Sequence, residues 1–193
     1  MHDSGLKILQ ALFEKITFCP IKINLFYILI YEGIPFVSRE RGPGEIKKGT
    51  IDDVESMCKL VNKKYKYINR FKFGDNCVLG IIDGNIIGFE WYSTHPYHKE
   101  ERTGYRIKIP NDSIYLYDAY IHEKYRIRGL WLKFKSYLAE IMRKTGKKRI
   151  ITIIDFNNDL SIRTHERLGF KKFKFVLAMR LWKKSIFIEK IIS

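Results

Sequence analysis

Cysteine is scarce in this chain of 193 residues, and the three that occur are far apart. Cys19, Cys58 and Cys77 are odd in number and form neither a CxxC pair nor a cluster with histidine. Disulfide-stabilised secreted domains and zinc-binding domains need such pairs, so the sequence excludes both classes. We therefore predict no metal site and a reducing, cytoplasmic setting.

A long apolar run is also missing. The most apolar stretch, residues 16–30, is interrupted by Pro20, Lys22 and Asn24, and its uninterrupted part is too short to span a bilayer. No small-residue cleavage site follows a basic start, so we predict neither a transmembrane segment nor a signal peptide. The apolar spacing instead predicts a short amphipathic helix over 4–15 and a buried strand over 22–31.

Acidic residues are few, because 21 Asp and Glu stand against 36 Lys and Arg and leave a net charge of +15. A charge of this size is typical of proteins that bind nucleic acid, acidic membranes or phosphate-bearing small molecules. The lysines fall in scattered pairs, which is also the pattern of a solvated surface. Charge alone does not choose between these interpretations.

Local patterns predict the elements along the chain. Thr50 followed by Asp53 has the form of a helix capping box, and Asp83-Gly84 between two apolar runs predicts a β-hairpin. Gly146 is positioned to end a helix. Residues 94–104 have the composition of a loop. The order of elements predicts a mixed α/β fold with hairpins at both ends and one βαβ crossover in the middle.

The stretch "IHEKYRIRGLWLKF", residues 121–134, follows a run of β-formers and leads into an amphipathic helix. A strand, a glycine turn with two arginines and a helix N-terminus in this order can form an anion site, since backbone N–H groups and basic side chains converge there. An ordinary connection between a strand and a helix has the same order of elements. Both interpretations stay open on this stretch alone.

The stretch "NDLSIRTHERLGF", residues 158–170, predicts a second helix with a polar face. Asn158, Ser161 and His165 lie at i, i+3 and i+7, so their side chains share roughly one side of that helix. Gly169 closes the helix before the next strand. The face suggests a site, although a solvated surface with Asn158 as the helix cap gives the same pattern.

Taken together, the two stretches resemble the GNAT superfamily of acyl-CoA N-acyltransferases. The pyrophosphate loop of that family reads Arg/Gln-x-x-Gly-x-Gly/Ala, and Arg126 and Gly129 match its first and fourth positions. Its later signature, Asn-x-x-Ser/Ala-x-x-x-Tyr-Glu-x-Leu-Gly-Phe, matches residues 158–170, with His165 in the place of the tyrosine. The resemblance covers residues 46–182.

The resemblance implies a fold and a domain division. The fold is a central, mixed but mostly antiparallel twisted sheet flanked by helices, with the βαβ crossover at the cofactor site. We expect the acyltransferase domain to span residues 44–193. Residues 1–43 lie outside the usual pattern and are predicted to form an extension, a helix plus a strand, packed on that domain.

The resemblance also implies acetyl-CoA as cosubstrate. The amides of residues 126–131 would hold the pyrophosphate, and the strand edge at residues 119–121 would bind the pantetheine arm. Trp131 stands where the family has a small residue, so its side chain either points into the core or narrows the loop. The implied cofactor residues are Ala119, Tyr120, Ile121, Arg126, Ile127, Arg128, Gly129, Leu130, Trp131 and Asn158.

For catalysis, the resemblance implies direct attack of an amine on the acetyl thioester, with His165 as the acid that protonates the leaving thiolate. The family often carries its base at the positions of Tyr115 and Tyr117, and neither is a carboxylate. Asp118 has the opposite strand parity and would face the other side unless a bulge redirects it. Glu90 is therefore the first candidate for the base, and a hairpin-pairing glutamate is its alternative.

Two functions follow from these observations. The first is an acetyl-CoA-dependent N-acetyltransferase that modifies a primary amine of a small or nucleotide-linked acceptor, as a monomer or homodimer. The second is a basic RNA- or ribosome-associated module on an acyltransferase fold, either inactive or acting on aminoacyl-tRNA. The net charge of +15 supports the second function, and the two motifs support the first.

Overall fold

The computed structural model describes residues 21–33, 43–126, 128–181 and 184–192. The amphipathic helix predicted over 4–15 lies outside these residues. The strands are β1 Ile21–Glu32, β2 Glu45–Lys48, β3 Asn76–Ile82, β4 Asn85–Ser93, β5 Tyr97–Lys99, β6 Arg106–Lys108, β7 Ser113–Ile121, β8 Arg149–Asp155, β9 Lys171–Leu181 and β10 Lys184–Ile191. The helices are α1 Val54–Cys58, α2 Lys64–Phe73, α3 Leu130–Thr145 and α4 Asp159–Arg167.

The chain divides into two compact units. The first takes residues from Met1–Glu32, Tyr97–Lys108 and Ile151–Ser193, and the second takes them from Gly33–Pro96 and Ile109–Ile150. Strands and helices are mixed in both units, and the strand pairings of β1 with β9, β9 with β10, β2 with β3, β3 with β4 and β4 with β7 are all antiparallel. The predicted mixed α/β, mostly antiparallel fold is therefore confirmed.

In the first unit the strand order is β10-β9-β1-β8. Strand β1, predicted near 22–31, pairs with β9 over almost its whole length, with one register shift between Ile28 and Leu29. Leu25, Phe26 and Leu29 are buried, and Ile162 of α4 is buried as well. The division into an extension over 1–43 and a domain over 44–193 stays a prediction.

A small second sheet belongs to the same unit. Strands β5 and β6 pair antiparallel, whereas the composition of residues 94–104 predicts a loop. Tyr105, next to β6, places its ring edge-on against Phe26 and Phe187, and its hydroxyl donates to Glu189 Oε1 at 2.8 Å. These contacts fasten the small sheet to β1 and β10.

In the second unit the strand order is β7-β4-β3-β2. The predicted hairpin is present between β3 and β4, where Asp83 and Gly84 have φ values of 49° and 73°. Two consecutive positive φ values define the type I′ turn that suits the right-handed twist of a hairpin. The predicted capping box is also present, since the backbone N–H of Thr50 donates to Asp53 Oδ2 at 2.9 Å.

The two faces of this second sheet carry different helices. One face, together with α1 and α2, forms an apolar cluster of buried side chains: Val54, Met57, Tyr67, Cys77, Leu79, Phe89 and Trp91. On the other face α3 comes so close that a Cβ on Gly80 would lie 2.8 Å from Leu130 Cδ1. Glycine at position 80 is thus what allows the first residue of α3 to pack onto β3.

Candidate active site

The predicted anion site lies between β7 and α3. After β7 the chain makes a 3-10 turn over Glu123–Tyr125 and reaches Gly129, which has φ 85° and immediately precedes the first residue of α3. A residue with a Cβ is strained at this φ, so glycine is needed here. Among the described residues, no side-chain hydrogen bond caps this helix, and the amides of the first turn of α3 are therefore available to an anion.

Two arginines border this helix N-terminus. Arg126 folds back onto β7, because its Nε donates to the carbonyl oxygen of Ile121 at 3.0 Å and its guanidinium lies 5.9 Å from the centre of the Tyr120 ring. Arg128 is exposed. Ile127 lies outside the described residues. The loop therefore carries two positive charges directly before the glycine turn, and one of the two guanidinium groups is held by the preceding strand.

The contacts in the first turns of α3 show where the Trp131 side chain points. Leu130 is buried against Gly80, whereas Trp131 is only partly buried, and its ring centre lies 4.5 Å from Lys135 Nζ one turn later. The indole therefore lies along the helix over a lysine, as in a cation–π contact. Residues at i and i+4 of a helix are neighbours on its surface, which explains the pairing.

Glu90 forms a buried ion pair with Lys135. The carboxylate Oε1 contacts Lys135 Nζ, and the side chains are 4% and 0% exposed, so water does not screen the pair. Burial lowers the pKa of Lys135, and the Glu90 carboxylate opposes this by favouring the ammonium form. The other oxygen, Oε2, is buried without a hydrogen-bond partner among the described residues. The candidate base thus has a fixed counterion on α3.

A β-bulge redirects Asp118. Trp91 pairs with Tyr117 and Phe89 pairs with Tyr120, so one residue of β4 stands opposite two residues of β7. Asp118 has φ 45°, which marks it as the bulged residue. Strand parity predicts that Asp118 faces the other side of the sheet unless a bulge redirects it, and the structure contains that bulge.

The redirected carboxylate joins a basic cluster on the side of α2. Arg70 Nη1 lies 2.5 Å from Asp118 Oδ2, and Lys63 Nζ lies 3.0 Å from Oδ1. The Arg70 guanidinium also lies over aromatic rings, 5.1 Å from the centre of Trp91 and 4.9 Å from that of Tyr117. Sequence reasoning did not identify Arg70 or Lys63 as partners of this carboxylate, since no local pattern relates residues 48 and 55 positions apart.

The polar face predicted for the second motif is present on α4. Asn158 Oδ1 accepts from the backbone N–H of Ser161 at 3.1 Å, so Asn158 caps the helix. The Ser161 carbonyl oxygen lies 2.8 Å from His165 Nδ1. A carbonyl oxygen only accepts, and Nδ1 therefore carries the proton. His165 is 7% exposed, and its ring meets Phe170 edge-on at 5.0 Å between the ring centres.

Comparison with known proteins identifies the family. The acetyltransferase (GNAT) family matches residues 52–170, more than half of the chain, and the protein belongs to this family. The match begins in the capping box before α1 and ends at the last residue of the second motif. The resemblance inferred from two short motifs is therefore confirmed.

Solved structures share the fold. A coenzyme A complex of PaiA N-acetyltransferase from Thermoplasma acidophilum has a TM-score of 0.53 at 16% identity, over 78% of this chain and 99% of that one. A coenzyme A complex of aminoglycoside N-acetyltransferase AAC(6')-Iy has a TM-score of 0.52 at 16% identity, over 77% and 100%. A functionally unknown conserved protein from Staphylococcus epidermidis has a TM-score of 0.61 at 12% identity, over 89% and 67%. No curated protein matches the chain.

Acetyl-CoA is the acetyl donor of this family, and the residues present fit it. The fit rests on two features: the positive φ of Gly129, which turns the chain into α3, and the first-turn amides of α3, which no described side chain caps with a hydrogen bond. In the described part of the chain, no helix is long and apolar enough to cross a bilayer. The same residues contain no group of three His, Cys, Asp or Glu side chains arranged to hold a metal ion.

Proposed function

We propose that the protein is an acetyl-CoA-dependent N-acetyltransferase that transfers the acetyl group to a primary amine of a small or nucleotide-linked acceptor by direct attack. The observation that carries this proposal is the glycine turn at Gly129, with φ 85°, between β7 and the N-terminus of α3. It occurs in a chain whose family is defined by acetyl transfer. A helix N-terminus with exposed arginine beside it favours a phosphate-bearing substrate.

The proposed donor site extends from β7 into α3. The amides of residues 126–131 bind the pyrophosphate, and the basic side chains of Arg126 and Arg128 neutralise its charge. Leu130 and Trp131 contribute their backbone amides in the first turn of α3. Upstream, the backbone of Ala119, Tyr120 and Ile121 binds the pantetheine arm as an added strand would. Asn158, the cap of α4, is proposed as a further contact.

His165 is proposed as the acid. Its Nδ1 proton points to the Ser161 carbonyl oxygen, 2.8 Å away, which leaves Nε2 as the atom that donates when the ring is the imidazolium. The role rests on the correspondence of His165 to the signature tyrosine of the family. Protonation of the thiolate sulfur makes coenzyme A a better leaving group and completes the transfer.

Glu90 remains the residue that we predict to act as the general base. Its contact with Lys135 has a consequence for that role, since protonation of Glu90 would leave the buried ammonium of Lys135 without its counterion. A base in this position would therefore work only with a proton shared between the two side chains. A cytoplasmic setting and a monomer or homodimer also stay predictions.

The test of the proposed function is acetyl-CoA binding followed by thiol release. At acetyl-CoA about 100 times above Kd, binding to the native state alone adds about 2.7 kcal/mol. For a protein of this size that is a rise in Tm of about 5–10 °C. Free thiol measured with a chromogenic disulfide reagent should then appear in the presence of a primary amine. No shift at millimolar acetyl-CoA would contradict the proposal.

A further inference from the structure

Three side chains of the second unit form a polar chain that the proposed function does not use. The Tyr117 hydroxyl on β7 donates to Asp75 Oδ2 at 2.6 Å. The other carboxylate oxygen, Oδ1, lies 4.0 Å from His95 Nε2. Both Oδ1 and Nε2 are buried and have no hydrogen-bond partner among the described residues. Asp75 as a whole is 7% exposed. Buried polar atoms without partners are uncommon and call for an explanation.

The chain leads from the strand of the donor site to the surface. Tyr117 lies on β7 two residues before Ala119, where the proposed pantetheine contacts begin. Asp75 follows α2 and precedes β3, and its carboxylate is buried. His95 follows β4, packs its ring against Phe73 at 4.6 Å between the ring centres, and has 35% of its side chain exposed. A proton that reaches His95 can therefore leave to water.

The surroundings keep Tyr117 protonated. Burial raises the pKa of Tyr117, and the Asp75 carboxylate raises it further, while the Arg70 guanidinium opposes both. A phenol in this state cannot act as a base by itself, but it can pass a proton on to a carboxylate that it already contacts. The titratable side chains that surround the Tyr117–Asp75 pair are Lys63, Arg70, Cys77, His95, Tyr115 and Asp118.

We propose that Tyr117, Asp75 and His95 form a proton relay that takes the proton of the acceptor amine from the reaction to solvent. The proposal rests on the acetyltransferase function proposed above. In this proposal Tyr117 accepts the proton from the amine and is the catalytic residue, and Asp75 and His95 are positioning residues that act through it. The relay is an alternative to Glu90 as the acceptor of the amine proton, and it starts on β7, where this sequence has no carboxylate at positions 115 and 117.

The amine nitrogen forms a bond to the thioester carbonyl carbon, and the carbon–sulfur bond breaks with its electron pair going to sulfur. The nitrogen gives one proton to Tyr117 Oη while the hydroxyl proton of Tyr117 goes to Asp75 Oδ2. Sulfur takes one proton from the acid, so the products are the amide and the free thiol. Asp75 then passes its proton to His95, which requires the 4.0 Å gap between the two side chains to close.

The experiment uses hydroxylamine as the acceptor, because this small amine is uncharged at neutral pH and its attack reports on proton removal during the reaction. Thiol release from acetyl-CoA is followed between about pH 6 and 9. The variants are Asp75→Asn, Tyr117→Phe, the double variant and His95→Gln. Glu55→Gln is the matched control, since Glu55 is an exposed carboxylate that contacts only Lys64 among the ion pairs described.

We expect Asp75→Asn and Tyr117→Phe each to lower kcat roughly a hundredfold, the size typical of general base catalysis, while acetyl-CoA still raises Tm as in the wild type. The double variant should be no slower than either single one, because both remove the same relay. His95→Gln should lose about tenfold. The wild-type rate should level off with pH, whereas that of Asp75→Asn should rise with hydroxide throughout.

Several results would overturn the relay. Undiminished turnover of Asp75→Asn, or single losses that multiply in the double variant, would assign these side chains a structural role. If Asp75→Asn does not fold, a wild-type rate and pH profile in His95→Gln and Tyr117→Phe overturns the relay equally. Wild-type protein that binds acetyl-CoA but releases no thiol to hydroxylamine also overturns it. Absence of an acetyl-CoA shift in the wild type instead contradicts the proposed function itself.

Discussion

Arg70 on α2 and Asp118 on β7 form an ion pair with 2.5 Å between Nη1 and Oδ2, at the one place where a bulge interrupts the pairing of β4 with β7. Burial raises the pKa of Asp118, but the charge and hydrogen bond of Arg70, helped by Lys63, outweigh burial and leave the pKa below its usual value. A group whose pKa is lower in the folded state stabilises the fold above its unfolded pKa, and this stabilisation is lost as the pH falls through the folded pKa.

Asp118→Asn should therefore change how stability depends on pH. At pH 7 the variant leaves the Arg70 guanidinium without its carboxylate and should be less stable by about 3 kcal/mol, the cost of breaking a buried pair. As the pH falls below about 4, Asp118 of the unfolded wild-type chain is protonated while the folded-state carboxylate stays ionised, so the difference should shrink steadily until the pH passes the lowered folded-state pKa. Urea unfolding at pH 7, 5, 4 and 3 measures this. A difference that stays constant over that range would mean that Asp118 does not titrate against Arg70.

Variants of the Glu90–Lys135 pair distinguish a structural role of Glu90 from a catalytic one. Lys135→Met should leave the Glu90 charge buried and cost about 3–5 kcal/mol in urea unfolding, and Glu90→Gln combined with Lys135→Met should recover most of it. If Glu90 is the base, the double variant should be stable yet lose roughly a hundredfold in kcat. Stable protein with normal kcat would instead leave Glu90 as a packing partner of α3.

Gly129→Glu tests the donor site, because it places bulk and negative charge beside the proposed pyrophosphate position. The rise in Tm with acetyl-CoA should be abolished. Gly146→Glu is the matched control, since Gly146 ends the same helix with φ 69° and has no atom within 4 Å of the position of an added Cβ. It carries the same charge and the same backbone strain away from the site. Normal binding by folded Gly129→Glu would mean that the loop does not hold the pyrophosphate.

The sequence predicted those features that a short segment determines by itself. The capping box at Thr50 and Asp53, the hairpin turn at Asp83-Gly84 and the helix end at Gly146 depend on residues at most three apart, and all three are present. The polar face of α4 follows from helical spacing alone. The family could be recognised from the sequence for the same reason, since both of its motifs are short and local.

What the sequence did not reveal depends on distant residues. The position of the bulge follows from how β4 and β7 pair, and the partners of Asp118 come from α2 and the turn before it. The contact between Tyr117 and Asp75 joins residues 42 apart. Strands β5 and β6 were missed because they have three residues each, too few for an alternating pattern to stand out.

His165→Ala should lower kcat about a hundredfold and leave the acetyl-CoA shift in Tm nearly unchanged, since the proposed role of His165 is to protonate sulfur and not to bind the donor. His165→Tyr should restore part of the rate, because the family presents a phenol at this position. His98→Ala provides a control for the loss of an imidazole on another element of the same unit. A weaker acetyl-CoA shift with normal kcat would mean that His165 contacts the donor without taking part in proton transfer.

Acetyl transfer from acetyl-CoA to a primary amine can be followed by the fate of the acetyl group itself. The purified protein is incubated with acetyl-CoA carrying a heavy-isotope acetyl group and a set of polyamines, amino sugars, aminonucleosides and aminoacyl-nucleotide analogues, and the products are analysed by mass spectrometry. We expect one of the amines to gain the labelled acetyl group in step with thiol release, with the wild type but not with Gly129→Glu. Thiol release that is matched by labelled acetate alone, with no labelled amine, would contradict it.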